Sequence, residues 1–265
     1  MSSVLLEEKN QIAVLTMNDP RSRNTLSMEM RIEMTKILED IEHDPDIRCV
    51  IIQGAGNHFM SGGNVKSFAQ LLEERTPAEI ELDFREKFAA LIPLIRVMRR
   101  LEKPIIASVQ GAAAGAGVGL ASACDLIVAS DSAFFVLAFC HIGVSPDCST
   151  SFYLPRAIGI KKAMEMALLG DRVDANQAKE MGLVNFVVPH DLLAEETEKL
   201  AQRLARGPTA ALGQTKRLFY GSLENSLEDQ LGLERETFIR TTTKKDFAEG
   251  VKAFCERRRP EFTGH

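Results

Sequence analysis

The sequence predicts an α/β fold with a helical C-terminal region, and three observations lead to that prediction. Short apolar runs of the buried-strand type alternate with helical patterns in the first part of the chain. From Ser149 onward, helical patterns dominate. The 265 residues are 45% hydrophobic and 26% charged, a globular composition whose core needs no disulfide. Because alternating strands and helices require crossover connections, we expect largely buried sheets.

The first elements follow from short-range patterns. Residues 5–8 and 12–16 predict two strands of a hairpin joined at Lys9 and Asn10. An apolar stripe over residues 28–41 predicts a helix that starts near Ser27. The run Cys-Val-Ile-Ile at 49–52 then predicts a buried strand.

The remaining elements continue this alternation and then give way to helices. Residues 78–102 predict a long helix kinked at Pro93, followed by a strand at 105–109, a small-residue loop at 111–117, a helix at 118–124 and a strand at 125–129. Further helices are predicted over 149–157, 160–168, 175–181, 191–206, 208–220, 225–241 and 244–257, with one strand at 184–188. We therefore expect a core over residues 1–200 and a C-terminal helical region over 201–265 of the same structural unit.

Charge and cysteine usage exclude several functional classes. A net charge of −5 argues against a general nucleic-acid binder. The five cysteines are scattered and form no Cys-x-x-Cys pair, which disfavours structural zinc and a disulfide framework. The N-terminus lacks a signal-peptide pattern, and polar residues and glycines interrupt the most apolar region, 105–128. We expect a cytoplasmic protein that neither crosses nor binds a membrane.

Two loops of small residues each follow a strand and precede a helix. They are Met-Ser-Gly-Gly-Asn at 60–64 and Gly-Ala-Ala-Ala-Gly-Ala-Gly at 111–117. Glycine lets a ligand approach the backbone closely, and fixed backbone N–H groups stabilise a developing oxyanion. Neither loop matches a dinucleotide or P-loop fingerprint, because Val65 stands where a P-loop needs glycine. Each loop taken alone could equally serve tight packing of a strand against a helix.

Ordered motifs along the whole chain carry a resemblance to a known family. They lie at 20–26, 58–66, 103–117, 125–129, 170–184 and 254–262. Together they resemble the crotonase (enoyl-CoA hydratase/isomerase) superfamily, nearest to its enoyl-CoA isomerases and the phenylacetate-pathway ring isomerase. The resemblance implies the crotonase (ClpP-like) fold of repeated ββα units in a spiral. It also implies an acyl-CoA thioester substrate without a separate cofactor or metal, and a homotrimer or dimer of trimers.

The resemblance also assigns site residues. It implies that the N–H groups of Gly63 and Ala116 form the oxyanion hole. The residues implied to contact the substrate are neighbours of these donors, an early basic residue and one aromatic residue: Arg23, Ser61, Gly62, Asn64, Val65, Lys66, Gly117 and Phe139. Residues 69–90 are expected to cover the acyl group.

Acid and base residues determine which reaction an oxyanion hole supports. In the hydratases of the family two glutamates hold and activate water, and their positions align with Gly119 and Phe139. Neither residue can transfer a proton. Asp147 instead stands where hydratases have glycine and several isomerases have an acid. The resemblance thus implies an isomerase in which Asp147 moves a proton from C2 to C4 of a β,γ-unsaturated thioester.

Alternatives remain for both the residue and the function. Asp147 follows Pro146 just before a predicted helix, so its carboxylate could be a helix N-cap. If it is the base, apolar neighbours drawn from Phe135, Leu137, Phe139 and Phe152 are expected to raise its pKa. His141 is expected to be partly buried and hydrogen-bonded, and Asp125 to be a packing acid. The alternative functions are a hydratase-like lyase or hydrolase of the superfamily and an inactive acyl-CoA-binding or scaffold protein.

Overall fold

The computed structural model describes residues 2–265, whose strands form two sheets. The strands are β1 (Val4–Lys9), β2 (Ile12–Met17), β3 (Cys49–Gly54), β4 (Ile105–Val109), β5 (Ala112–Ala114), β6 (Leu126–Ser130), β7 (Phe134–Val136), β8 (Val173–Asp174) and β9 (Phe186–Val188). One sheet has the order β1-β2-β3-β4-β6-β9 and the other the order β5-β7-β8. The strand–helix alternation and the helical C-terminal region confirm the predicted α/β class.

The helices agree closely with the apolar periodicity of the sequence. They are α1 (Met28–His43), α2 (Val65–Glu74), α3 (Pro77–Arg100), α4 (Ala116–Ser122), α5 (Thr150–Ile158), α6 (Ile160–Leu169), α7 (Ala175–Glu180), α8 (Leu193–Ala205), α9 (Thr209–Gly221), α10 (Leu227–Thr242) and α11 (Lys245–Cys255). Short 3₁₀ turns lie at Pro20–Ser22, Ala138–Ile142 and His190–Leu192. The helical assignment of α3 continues through Pro93. Among residues 2–265 no helix is long and apolar enough to cross a bilayer.

The larger sheet is covered on both faces. β1 pairs antiparallel with β2, and every other neighbouring pair in this sheet is parallel. Because strand side chains alternate between faces, Val50 and Ile52 pack in the core cluster that contains residues of α1 and α3. Cys49 and Ile51 belong to the cluster that contains α8 residues. Parallel sheets are typically buried in this way, which explains the continuous apolar run in β3.

The smaller sheet corrects part of the sequence-based assignment. Residues 111–117 are not entirely a loop, because β5 pairs in parallel with β7. β8, which pairs antiparallel with β7, was also missed. These strands are too short for a periodic pattern, and alanine, the only residue type of β5, is depleted in strands. The units β4-β5-α4 and β6-β7-α5 are the repeated ββα elements of the fold.

Asp125 joins the C-terminal region to the core, as expected of a packing acid. Its Oδ2 lies 2.8 Å from Nζ of Lys216 in α9 and accepts a hydrogen bond from the backbone N–H of Ile105. Its Oδ1 accepts from the hydroxyl of Tyr220, also in α9. The contacts fix the first C-terminal helix against the start of β4.

Candidate active site

The two small-residue loops lie side by side because Met60 forms a bridge with Ala113 of β5. The N–H of Met60 donates to Ala112, and the N–H of Ala114 donates back to Met60. Between the loops, Gly62 has a φ of +87°, and a Cβ on it would lie 2.9 Å from the carbonyl oxygen of Ala114. Only glycine meets both conditions without strain, so the close approach of the loops depends on it.

The two predicted oxyanion donors are available for a ligand. Gly63 lies in the first loop, and Ala116 is the first residue of α4. Among residues 2–265, neither backbone N–H donates a hydrogen bond to another group of the chain. A backbone N–H without a partner is uncommon unless solvent or a ligand satisfies it. Both residues line one cavity, so a ligand in that cavity has both of them in its wall.

The cavity has a volume of about 400 Å³ and walls from five parts of the chain. Its lining consists of the two loops, one side of the α2–α3 pair, the segment before α5 and one residue of α1: Arg31, Ser61, Gly62, Gly63, Val65, Phe68, Phe84, Lys87, Phe88, Leu91, Gly115, Ala116, Ala138, Phe139, His141, Ile142, Val144, Ser145 and Asp147. Most of these side chains are apolar. The cavity therefore suits a ligand with an apolar body and one polar end.

Asp147 is not the N-cap of the helix that follows it. That cap position belongs to Ser149, and no side chain makes a capping bond there. Only the backbone carbonyl of Asp147 accepts from the N–H of Thr150. The carboxylate Oδ1 is buried and accepts no hydrogen bond from any described residue. The capping hypothesis is therefore wrong, and Asp147 is instead one of the residues that line the cavity.

Two opposing influences set the proton affinity of Asp147. Burial raises the pKa of its carboxyl above the ordinary value. The positive charge of Arg31 and the backbone N–H of Asp147 itself lower that pKa by smaller amounts. The carboxylate is thus a stronger base than a solvent-exposed aspartate.

Neither Gly119 nor Phe139, the two positions that align with hydratase glutamates, provides a carboxylate that could bind water, and neighbouring atoms crowd the Gly119 position. A Cβ on Gly119 would lie 2.3 Å from the carbonyl oxygen of Cys148 and 2.6 Å from Oγ1 of Thr150. Any side chain there would require the segment before α5 to move. At the second position, the buried ring of Phe139 forms part of the cavity wall.

The structure brings together seven of the eleven residues that the sequence analysis assigned to the site. These are Ser61, Gly62, Gly63, Val65, Ala116, Phe139 and Asp147. Of the other four, Asn64 caps α2 by accepting from the N–H of Ser67. Gly117 packs against the loop, since a Cβ on it would lie 2.5 Å from the carbonyl oxygen of Met60. Arg23 and Lys66 are exposed outside the cavity, and their contact with CoA stays a prediction.

The apolar wall differs from the one expected from neighbouring sequence. Of the four apolar residues expected around Asp147, only Phe139 lines the cavity, whereas Phe135, Leu137 and Phe152 do not. The other aromatic side chains of the wall are Phe68, Phe84 and Phe88. The last two belong to α3, within the 69–90 segment that was expected to cover the site. Sequence alone did not show which face of this helix turns inward.

Three polar residues of the cavity were missed or misjudged. Arg31 is buried on α1, and its Nη1 donates to the carbonyl of Lys87 at 2.8 Å. An arginine beside the apolar stripe of α1 was the only signal for it. Lys87 pairs with Asp83 at 2.5 Å, and its ammonium lies over the Phe84 ring. His141 is exposed and makes no side-chain hydrogen bond within residues 2–265, contrary to expectation.

Comparison with known proteins gives matches along the whole chain. The family model for enoyl-CoA hydratase/isomerase matches residues 7–265. The 1,2-epoxyphenylacetyl-CoA isomerase of Escherichia coli (strain K12) is 37% identical over 264 residues, which are 100% of this chain and 99% of that protein. A probable enoyl-CoA hydratase of Rhodobacter capsulatus is 36% identical, with 99% of this chain and 98% of that protein covered. The trans-2-decenoyl-[acyl-carrier-protein] isomerase of Streptococcus mutans is 31% identical, with 98% of each chain covered.

Solved structures give the same result for the fold. The putative enoyl-CoA hydratase/isomerase from Mycobacterium abscessus superimposes with a TM-score of 0.92 at 32% identity, over 99% of this chain and 100% of that one. The enoyl-CoA hydratase from Polaromonas sp. JS666 has a TM-score of 0.90 at 33% identity, over 98% and 99% of the two chains. The similarity therefore includes the C-terminal helices as well as the sheets.

Proposed function

We propose that this chain, which belongs to the enoyl-CoA hydratase/isomerase family and has the crotonase fold, is an acyl-CoA double-bond isomerase. The proposed reaction moves a β,γ double bond of the acyl group to the α,β position. Asp147 is the single base, and the N–H groups of Gly63 and Ala116 form the oxyanion hole. The acyl-CoA is the substrate, and the reaction needs no separate cofactor.

One observation carries the proposal. A buried carboxylate with a free oxygen and two backbone N–H groups without acceptors line the same mainly apolar cavity. In the proposed mechanism Asp147 removes a proton from C2, and the electrons pass through the carbonyl carbon to the thioester oxygen. The two N–H groups stabilise that oxyanion. The protonated Asp147 then returns the proton at C4, the double bond lies between C2 and C3, and the carboxylate is regenerated.

The surroundings of Asp147 support proton transfer without hydration. Burial raises the pKa of the carboxyl, which makes the carboxylate a better match for a weakly acidic C–H group. The buried Phe139 ring lines the cavity at the sequence position that aligns with a hydratase glutamate. At Gly119 the neighbouring carbonyl of Cys148 leaves no room for the other glutamate. A reaction that must not add water benefits from both features.

Hydration is the second candidate function, because some of the matched relatives are named as isomerases and others as hydratases. The matched proteins include isomerases of E. coli and S. mutans and several proteins named as hydratases. The E. coli relative acts, by its name, on 1,2-epoxyphenylacetyl-CoA. For this chain, the crowding at Gly119 favours isomerisation over a hydratase-like lyase or a hydrolase. The two unpartnered N–H groups favour an enzyme over an inactive binding protein.

A pair of substrates separates these functions. Purified protein is incubated with a 3-enoyl-CoA and, separately, with the corresponding 2-enoyl-CoA, and the absorbance of the conjugated thioester is followed. We expect this absorbance to rise with the first substrate and to stay constant with the second. A rapid fall with the second substrate would establish hydration and overturn the proposal. No change with either, while both esters bind, would support the inactive binding protein.

We also propose that the chain forms a closed homotrimer or a dimer of trimers. The C-terminal helices expose large apolar side chains, among them Phe219, Phe238 and Phe254. Contiguous exposed apolar surface is characteristic of an interface, and homo-oligomers usually have closed symmetry. Light scattering should give a mass three or six times that of the 29.3 kDa chain. A monomeric mass across the working concentration range would contradict this expectation.

A further inference from the structure

We infer that Arg31 is a positioning residue: anchored to the helical wall of the cavity, its guanidinium keeps the carboxylate of Asp147 ionised there. The inference rests on the proposed function in one respect, since it treats Asp147 as the base. Arg31 belongs to α1 and is proposed to act through Asp147, without contacting the reacting atoms. Three features of the structure carry it.

The first feature is the placement of the guanidinium. The Arg31 side chain belongs to a residue that is 9% exposed, and it lines the same cavity as Asp147. Its Nη1 donates to the carbonyl of Lys87 at 2.8 Å, which fixes it to α3. Its Nε is buried and has no acceptor among the described residues. A buried guanidinium stays charged, so it requires an opposite charge close by.

The second feature is the charge balance of the cavity. The other cationic side chain that lines the cavity belongs to Lys87, and it is already paired with Asp83. His141 is exposed, and burial raises the pKa of the Cys148 thiol so that it stays neutral. Asp147 is therefore the anion left to balance Arg31. The positive charge of Arg31 lowers the pKa of Asp147 against the larger effect of burial.

The third feature is the missing direct bond between the two groups. Asp147 Oδ1 and Arg31 Nε are both buried, and neither has a hydrogen-bond partner. A direct charge-assisted bond would occupy the lone pairs that a base uses and would weaken it. A cation that another anchor holds in the wall of the same cavity instead stabilises the negative charge and leaves the oxygens free. The bond from Arg31 to the Lys87 carbonyl is that anchor.

The test measures the ionisation of Asp147 directly. Infrared difference spectra between each protein and the same protein carrying Asp147→Asn isolate the carboxyl signal, which is followed across pH. The backgrounds are wild type, Arg31→Met, Arg31→Gln and Arg31→Lys. We expect the pH midpoint of Asp147 ionisation to move to higher pH in Arg31→Met and Arg31→Gln, which lack the positive charge. In Arg31→Lys, which keeps that charge, the midpoint should return toward the wild-type value. His141→Gln is the matched control, and its midpoint should stay at the wild-type value.

Kinetics supply an independent readout. The carboxylate must be ionised to act, so activity falls as pH decreases through its midpoint. In Arg31→Met the acidic limb of the kcat/KM profile should move to higher pH. A displacement of one unit corresponds to about a tenfold loss on that limb. KM for the CoA ester should change little, because the proposed role of Arg31 is to act on the carboxylate of Asp147 and not on the ester.

The outcomes are distinguishable. An unchanged infrared midpoint in both neutral variants, with thermal unfolding showing that they are folded, would overturn the inference. A midpoint that moves in His141→Gln instead would assign the effect to the histidine. If the infrared midpoint moves in the Arg31 variants but no CoA ester is converted, the proposed function fails while the role of Arg31 stands. If esters are converted and the midpoint does not move, only the role of Arg31 fails.

Discussion

Asp125 and Asp147 are two partly buried aspartates in opposite situations. Asp125, just before β6, uses both carboxylate oxygens: one faces Lys216 and the N–H of Ile105, and the other accepts from Tyr220. Asp147, ahead of α5, has an oxygen that is buried without any partner. A carboxylate whose lone pairs are occupied stabilises the fold. One that keeps a lone pair free at the edge of a cavity is available for proton transfer, at a cost in stability.

The contrast is not visible from local sequence. Each aspartate lies between an apolar segment and the start of a regular element. The partners of Asp125 come from β4 and from α9, far along the chain, whereas no described residue donates a hydrogen bond to Oδ1 of Asp147. Substitutions at Asp125 and Asp147 test the comparison. A third substitution, at Gly119, tests whether a position that aligns with a hydratase glutamate is closed.

The largest effect is expected for Asp147→Asn. Removing a positioned general base typically costs a factor of 10² to 10⁴, so turnover of a 3-enoyl-CoA should fall about 10³-fold. The amide retains the shape of the carboxylate, so binding of the CoA ester should be nearly unchanged. Steady-state kinetics and calorimetric titration measure the two quantities. Full activity in this variant would show that the base lies elsewhere.

Asp125→Asn should have the opposite effect: it should lower the free energy of unfolding and leave turnover unchanged. The substitution leaves the Lys216 ammonium without its counter-charge, although two backbone carbonyls still accept from it. Breaking a buried pair in this way costs about 3 kcal/mol of unfolding free energy. Denaturant unfolding gives the value, and the folded fraction should retain wild-type kcat.

The double variant Asp125→Asn with Lys216→Met is the control for that prediction. Because it removes both charges, it should recover part of the lost stability. Equal stability of the single and double variants would mean that the ion pair contributes little. The contrast with Asp147 would then rest on hydrogen bonding alone.

Gly119→Ala should destabilise the fold by about 2 kcal/mol, the usual size of an overpacking effect. The added Cβ would collide with the carbonyl of Cys148 and displace the turn that carries Asp147. Gly232→Ala is the matched control, since nothing lies within 4 Å of its Cβ position in α10. That control should gain about 0.5–1 kcal/mol, because alanine favours the helix. Similar stability of both variants would show that the Gly119 position is not closed.

The smallest effect concerns the pH dependence of stability. Burial raises the pKa of Asp147, so the native state binds this proton more tightly than the unfolded state does. The resulting stabilisation is complete below the unfolded-state pKa and is lost as pH rises through the native one. The stability of wild type relative to Asp147→Asn should therefore be greatest in acid and should fall as pH rises to neutral, on top of a constant cost to the variant for leaving Arg31 without its counter-charge. Denaturant unfolding of both proteins at both pH values checks the sign, and a difference that shifts in favour of wild type as pH rises would contradict it.

The sequence by itself determined the α/β class, most helices and the position of both small-residue loops. For α5 and α6 the predicted ends lie within one residue of the observed ends, because helical periodicity is a local property of the chain. The motifs also supplied Gly63, Ala116 and Asp147, which the structure places on one cavity. Their roles in catalysis stay predictions.

Tertiary structure decided what local patterns do not encode. The pairing of β5 with β7 depends on segments that are too short to show a period, and it is what brings the loops together. The inward turn of Phe84 and the burial of Arg31 depend on how α1 and α3 pack. Likewise, the sequence is compatible with Asp147 as a helix cap, and only the structure shows that Ser149 holds the cap position of α5. The residue types come from the sequence, but whether a buried carboxylate is partnered depends on which distant segments approach it.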